Sequence, residues 1–160
     1  MRLYNIKDDY IDFLRQFDNK VPQNKSRKRP YVGIILKIDD HDYFAPMSSP
    51  KDKHRNMKNT KDFHKINSGS QGAINFNNMI PVPQSALKEI DINRIPDLRY
   101  KNLLNAQLQF MNSNRVTLQK KAEKLYSLVT SDNETLSEQD LKVKSRCCNF
   151  ERLQNEAKNY

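Results

Sequence analysis

Long apolar runs are missing from this chain of 160 residues: nowhere do eighteen apolar positions follow one another, so no membrane-spanning helix is expected. The first nine residues, MRLYNIKDD, lack the hydrophobic centre of a secretory signal. Cysteine is scarce, and its two copies, Cys147 and Cys148, are adjacent. Neighbouring cysteines rarely bridge each other and build no disulfide framework, which leads us to expect a reducing cytoplasm. Only three glycines occur, none of them in GxxxxGK[ST] or GxGxxG, so the nucleotide-binding phosphate loops have no support. HExxH is missing too. His41, His54 and His64 stand thirteen and ten residues apart without a carboxylate pattern, and the cysteines lack CxxC spacing. No metal site or cofactor is expected. Hydrophobic residues reach only 36%, which is lean. Residues 31–38 and 118–129 are nevertheless too apolar for wholesale disorder.

Positive charge is what the chain has in excess. Twenty-eight Lys+Arg against nineteen Asp+Glu leave +9, with a pI near 9.5, which favours a polyanion: nucleic acid or an anionic membrane surface. A membrane surface is the weaker choice, because no basic helix has a clean apolar face. Residues 1–65 hold +6 of the +9. Two clusters account for it. Residues 20–29 carry Lys20, Lys25, Arg27, Lys28 and Arg29 with no acid. Residues 51–65 carry Lys51, Lys53, Arg55, Lys58, Lys61 and Lys65 with two histidines, against Asp52 and Asp62. Either cluster alone reads as a solvated face. A hairpin between them would bring both to one surface.

The pattern between and around the clusters predicts α+β, a single domain over 1–160. Residues 1–6 read as a strand. Tyr10, Phe13, Leu14 and Phe17 follow the helical stripe, with Asp8 and Asp9 suited to the first turn. Val21-Pro22 closes that helix, and residues 22–30 form a basic loop. Residues 31–38, YVGIILKI, predict a buried central strand. Residues 39–42 make a turn and 43–47 the second arm of a hairpin. Gly33, inside the strand, signals a bulge or a close backbone approach. Residues 73–82 predict a further strand. From 98 to 130 apolar spacing predicts one long helix or two in series, with Asn112-Ser113-Asn114 the weak point. Residues 136–143 and 148–157 are shorter segments.

The most pointed chemistry lies in Ser48-Ser49-Pro50-Lys51, which leaves a strand, offers two hydroxyls and presents a lysine after a proline turn. By itself it reads as a plain Ser-Pro turn. Its functional reading is a phosphate site, with hydroxyls donating to phosphate oxygens and lysine supplying a point charge.

Several patches, in order along nearly the whole chain, resemble the ToxN/AbiQ family of endoribonuclease toxins from type III toxin–antitoxin systems. They are MRLYNI (1–6), DYIDFL (9–14), DNKVP (18–22), YVGIIL (31–36), YFAPMSSPK (43–51), GAINFNNMIP (72–81), QLQF (107–110) and CNF (148–150). The resemblance implies a MazF/Kid-like fold, a twisted and partly closed antiparallel sheet with packed helices. It also implies metal-independent RNA cleavage, commonly at adenine-rich sites, leaving a 2′,3′-cyclic phosphate and a 5′-hydroxyl. The implied partner is a repeated pseudoknot antitoxin RNA, which the toxin trims and then binds in a closed protein–RNA ring. The implied role is abortive infection by phage.

Carried over by position, the family's site falls on Tyr10, Arg29, Ser48, Ser49 and Lys51. Ser48 stands where threonine is common, and Arg29 where lysine is. His64 and Lys65 lie where the family has a Phe-Lys or Phe-His-type pair. Tyr10 also fits the apolar stripe as a core residue. The bottom-up chemistry agrees in kind: Arg29 and Lys51 would stabilise phosphoryl charge, Ser49 would hold phosphate or pass a proton, and Tyr10 would orient a sugar or stack on a base. RNA is expected to pass between residues 20–29 and 51–65, over Ser49. Lys20, Lys25, Arg27, Lys28, Lys53, Arg55, Lys58, His64 and Lys65 would contact it. The alternative from another class is a non-catalytic RNA-binding module whose turn merely grips phosphates.

Overall fold

A computed structural model describes residues 1–24 and 29–160. Lys25, Arg27 and Lys28 lie outside the described residues. Strand β1 (Arg2–Ile6) leads into helix α1 (Asp8–Arg15), whose acidic first turn and basic last turn both suit the helix dipole. The helix stops two residues short of the expected Phe17. Phe17 N–H still bonds the Leu14 carbonyl, and the Arg15 guanidinium turns back to donate to the Val21 carbonyl.

Strands β2 (Tyr31–Ile38) and β3 (His41–Ser48) form the expected hairpin, with a tighter turn than residues 39–42. Ile38 pairs with His41, so only Asp39 and Asp40 remain for the loop, and Asp39 takes the positive φ (+50°) that such two-residue loops need. His41 and Asp42 therefore join the strand. At Gly33 the expected irregularity is present: the register shifts between Val32 and Leu36, and a Cβ on Gly33 would lie 2.1 Å from the buried Phe44 ring.

Strand β3 organises the sheet, which is antiparallel throughout. Its partner on one side is β2, followed by β1 and then β7 (Leu87–Glu89); on the other side lie β5 (Ala73–Asn75), then β4 (Phe63–Lys65), and separately β6 (Ile80–Pro81). The single strand expected at 73–82 is thus two pieces, both on β3, separated by one 3-10 turn at Phe76–Asn78. The turn's polar groups bond away from the ladder. The Asn77 carbonyl accepts from Cys148 N–H at 2.8 Å, and the Asn78 amide donates to the Lys20 carbonyl at 2.9 Å.

The 98–130 pattern resolves into two sixteen-residue helices, α3 (Leu98–Ser113) and α4 (Arg115–Thr130), that meet at non-helical Asn114. Between β3 and β4 a short helix, α2 (Asp52–Asn56), follows the Ser-Pro turn. Helices α5 (Glu138–Arg146) and α6 (Phe150–Ala157) account for the two C-terminal segments. The hairpin's Tyr31, Ile35, Tyr43 and Phe44 share one buried core with Leu118 and Leu125 of α4 and Phe150 and Leu153 of α6. Cys147 and Cys148 are buried in it as free thiols, and burial pushes both up to about 12. Among the described residues no helix is long and apolar enough to cross a membrane.

Candidate active site and nucleic-acid interface

Antiparallel pairing alone places the start of β2 beside the end of β3. Tyr31 lies opposite Pro46, and Met47 N–H extends the ladder by bonding the Pro30 carbonyl at 2.9 Å. Arg29 and Pro30 therefore flank Met47, Ser48 and Ser49. On the far side Ser48 pairs with Ala73, which in turn pairs with Lys65. Gly72 makes this approach possible: at φ +95° it lies so close that a Cβ would sit 2.0 Å from the Ser48 carbonyl oxygen.

The turn from Ser48 to Lys51 separates two depressions. One, of about 170 Å³, is lined by Arg29, Met47, Ser48, Ser49 and Lys51, and closed by Tyr100, Leu103 and Gln107 of α3. The other, of about 320 Å³, also borders Ser48 and Lys51, with Lys53, His54, Asp62, Asn75, Asn77 and Arg146 around it. Ser49 and Lys51 are exposed and Ser48 is partly so. The Asn75 amide donates to Ser48 Oγ at 2.7 Å, which leaves the serine's own proton free to donate elsewhere. Arg29 is anchored through Nε to the Gln23 carbonyl at 3.2 Å. The Lys51 carbonyl accepts from His54 N–H at 2.9 Å, but its side-chain ammonium has no hydrogen-bond or ion-pair partner among the described residues and stands uncommitted where both depressions meet.

Electrostatics around the second depression are set by a clamp. Arg146 Nε and Nη2 reach the two Asp62 carboxylate oxygens at 2.6 and 2.8 Å, and Thr60 donates to the same carboxylate. Burial would raise the Asp62 carboxyl, but these hydrogen bonds outweigh it and hold the group below its ordinary value. His54 is buried, and desolvation with the nearby Lys53 and Lys51 lowers it, so the neutral ring is favoured. Its Nδ1 has no partner. Among the described residues no three His, Cys, Asp or Glu side chains converge as metal ligands would.

Four of the five expected catalytic residues, Arg29, Ser48, Ser49 and Lys51, thus line one depression. Tyr10 does not join them. It is fully buried, its hydroxyl donates to the Pro81 carbonyl at 2.6 Å, and its ring meets Tyr160 edge-on at 4.7 Å. That is the core position its stripe allowed.

Of the expected RNA contacts, Lys53 lines the second depression, while Arg55 and Lys58 are exposed on the same segment. Lys20 is committed to the Cys147 carbonyl at 2.9 Å, and Lys65 to the Arg55 carbonyl at 3.3 Å. His64 faces the helices: Lys121 Nζ lies 3.3 Å from its Nδ1, and burial with that neighbouring ammonium lowers it to about 4. Sequence reasoning missed Asn75, His54, Arg146, Tyr100 and Gln107. Two left a signal. Asn75 interrupts an apolar run, and Gln107 is a polar residue at a position that helical spacing from Leu104 and Met111 assigns to the core.

The chain matches the family described as "Toxin ToxN, type III toxin-antitoxin system" over residues 2–158. It is 37% identical to the endoribonuclease ToxN of Bacillus thuringiensis subsp. kurstaki, covering 99% of this chain and 84% of that protein. A solved structure from work on selective toxin inhibition by a non-coding RNA pseudoknot in bacterial type III systems superposes with a TM-score of 0.88 at 38% identity. It covers 99% of this chain and 96% of the other. The structure of AbiQ, a lactococcal anti-phage endoribonuclease of a type III system, superposes with a TM-score of 0.80 at 28% identity, over 99% and 96%.

Proposed function

Because the chain belongs to the ToxN family of type III toxin–antitoxin toxins, we propose that it is an endoribonuclease toxin. It cuts RNA without a metal, at adenine-rich sites, by attack of a 2′-hydroxyl on the adjacent phosphorus. The P–O2′ bond forms as the P–O5′ bond breaks, so the products are a 2′,3′-cyclic phosphate and a 5′-hydroxyl. The 2′-hydroxyl loses its proton and the departing 5′-oxygen gains one. What this chain supplies is charge and position. The Lys51 ammonium and Arg29 guanidinium stabilise the equatorial phosphoryl oxygens, and the Ser48 and Ser49 hydroxyls hold them.

The single observation carrying this reading is the convergence of Arg29, Ser48, Ser49 and Lys51 on one open basic depression. Its natural inhibitor is a repeated pseudoknot RNA that the toxin trims from a precursor and then retains as a bound product, in a closed ring of protein and RNA. The setting is the bacterial cytoplasm during phage infection, and the sheet is of the MazF/Kid kind.

Incubating the purified protein with a messenger RNA in excess EDTA tests the proposal. Discrete cuts whose upstream fragments end in cyclic phosphate are expected. RNA that is bound but left whole would instead make the protein a non-catalytic RNA-binding module.

A further inference from the structure

Gln107 is 2% exposed, yet it lines the depression that holds Ser49 and Lys51. Its Nε2 donates to the Gln71 carbonyl at 2.7 Å. Only the nitrogen can face that carbonyl, so the amide's orientation is fixed and Oε1 is the end left over, buried and without a partner. A buried acceptor without a donor is costly, and such atoms are uncommon unless something outside the chain completes them. On the same face of α3, Leu103 one helical turn away and the exposed Tyr100 two turns away line the same depression. An aromatic ring, an apolar wall and a lone amide acceptor beside a phosphate-holding cluster make a nucleobase subsite.

We propose that Tyr100, Leu103 and Gln107 bind the base next to the scissile phosphate, and that Gln107 Oε1 selects bases that carry an amino group where guanine and uracil carry an oxo group, at C6 of adenine or C4 of cytosine. The inference rests on the ribonuclease reading and gives its site a specificity residue. Tyr100 supplies the stacking face, which every base accepts. Gln107 supplies the discrimination, because the 6-oxo group of guanine or the 4-oxo group of uracil would set one acceptor against another. The Gln71 bond also ties this acceptor to the reacting turn: Gly72, the next residue, is the one pressed against the Ser48 carbonyl.

The test begins by mapping cleavage sites of the wild-type protein in a randomised RNA pool. At the base flanking the cut, adenosine is then replaced by purine riboside and cytidine by its 4-deamino analogue, each lacking only the amino group. Loss of the group should slow wild-type cleavage about tenfold. The more sensitive of the two substitutions tells which ring is taken. Gln107→Leu should cut the amino-bearing and amino-free substrates at nearly equal rates, and Tyr100→Ala should raise KM for both alike. Cleavage by the wild type that is indifferent to both analogues, with an unchanged site profile for Gln107→Leu, would overturn the subsite alone. The substrate analogues decide this even if Gln107→Leu folds poorly. No cleavage of any RNA by the wild type would overturn the ribonuclease reading and the subsite with it.

Discussion

The Lys51 side chain can be removed without disturbing anything that holds the chain together, since it is exposed and its ammonium has no partner among the described residues. Lys51→Ala should therefore change stability by less than about 0.5 kcal/mol. Single-turnover cleavage should fall by roughly two orders of magnitude or more if the ammonium stabilises the transition state. A folded Lys51→Ala protein that cleaves at full rate would remove the residue from the site. His64 makes a different kind of prediction. In the unfolded chain its imidazole titrates near 6.5, whereas burial and the Lys121 ammonium hold it to about 4 in the folded protein. Between those values the unfolded state binds the extra proton, so stability should fall as pH drops from about 6.5 to about 4. Urea melts at pH 7 and pH 5 should show the loss, and His64→Phe should reduce it. Lys121→Met should raise the His64 midpoint in an NMR titration, because desolvation remains while the repelling charge is gone. An unmoved midpoint would leave burial as the sole cause.

Among elements, the turn carrying Gly72 has the most direct hold on Ser48. Gly72→Ala forces a Cβ into the Ser48 carbonyl at a backbone angle that side chains avoid. About 1–3 kcal/mol of stability should be lost. Cleavage measured well below the melting temperature should fall further than that loss explains, because β3 and the Ser48 turn must shift. Helix α5 is held to the sheet by Arg146 on Asp62, whose side chain is 4% exposed while that of Arg146 is 48% exposed. Asp62→Asn should cost about 1–3 kcal/mol by thermal or urea melting; the half-solvated arginine keeps the figure from the full buried-pair value. The elements with strong local signals were legible in the sequence: the apolar β2–β3 hairpin, the Asn114 break and the stripe of α1. So was the grouping of Ser48, Ser49 and Lys51 in one short stretch, which Arg29 meets by hairpin pairing. Arg146 was not, because it reaches its depression from a helix far along the chain, which only tertiary packing brings close; Gln107 showed only as a polar residue at a core position, without its place at the depression. Tyr10 marks the opposite limit: an aromatic residue on a helix stripe reads the same whether it serves packing or chemistry, and here packing claimed its hydroxyl.

For the molecule as a whole, the excess positive charge should be visible as salt dependence. If bound RNA has about six phosphates neutralised, log affinity against log salt should slope near −4. Reversing Lys53, Arg55 and Lys58 to Glu should flatten that slope by roughly two units. The melting temperature should hardly move, since all three are exposed. An unchanged slope would shift the RNA to the basic face of α4 at Lys120, Lys121 and Lys124, which lines a separate depression with Lys61. The buried pair Cys147 and Cys148 offers a view of the same molecule coming apart. Their thiols are withheld from solvent and from ionisation at once, so no thiolate is available to attack an alkylating reagent until the junction of α5 and α6 lifts away. Labelling rate then becomes a stopwatch for that opening. Read with and without bound RNA, it would measure how firmly a ligand at the Ser48 turn locks a helical layer that contributes no thiol to the reaction.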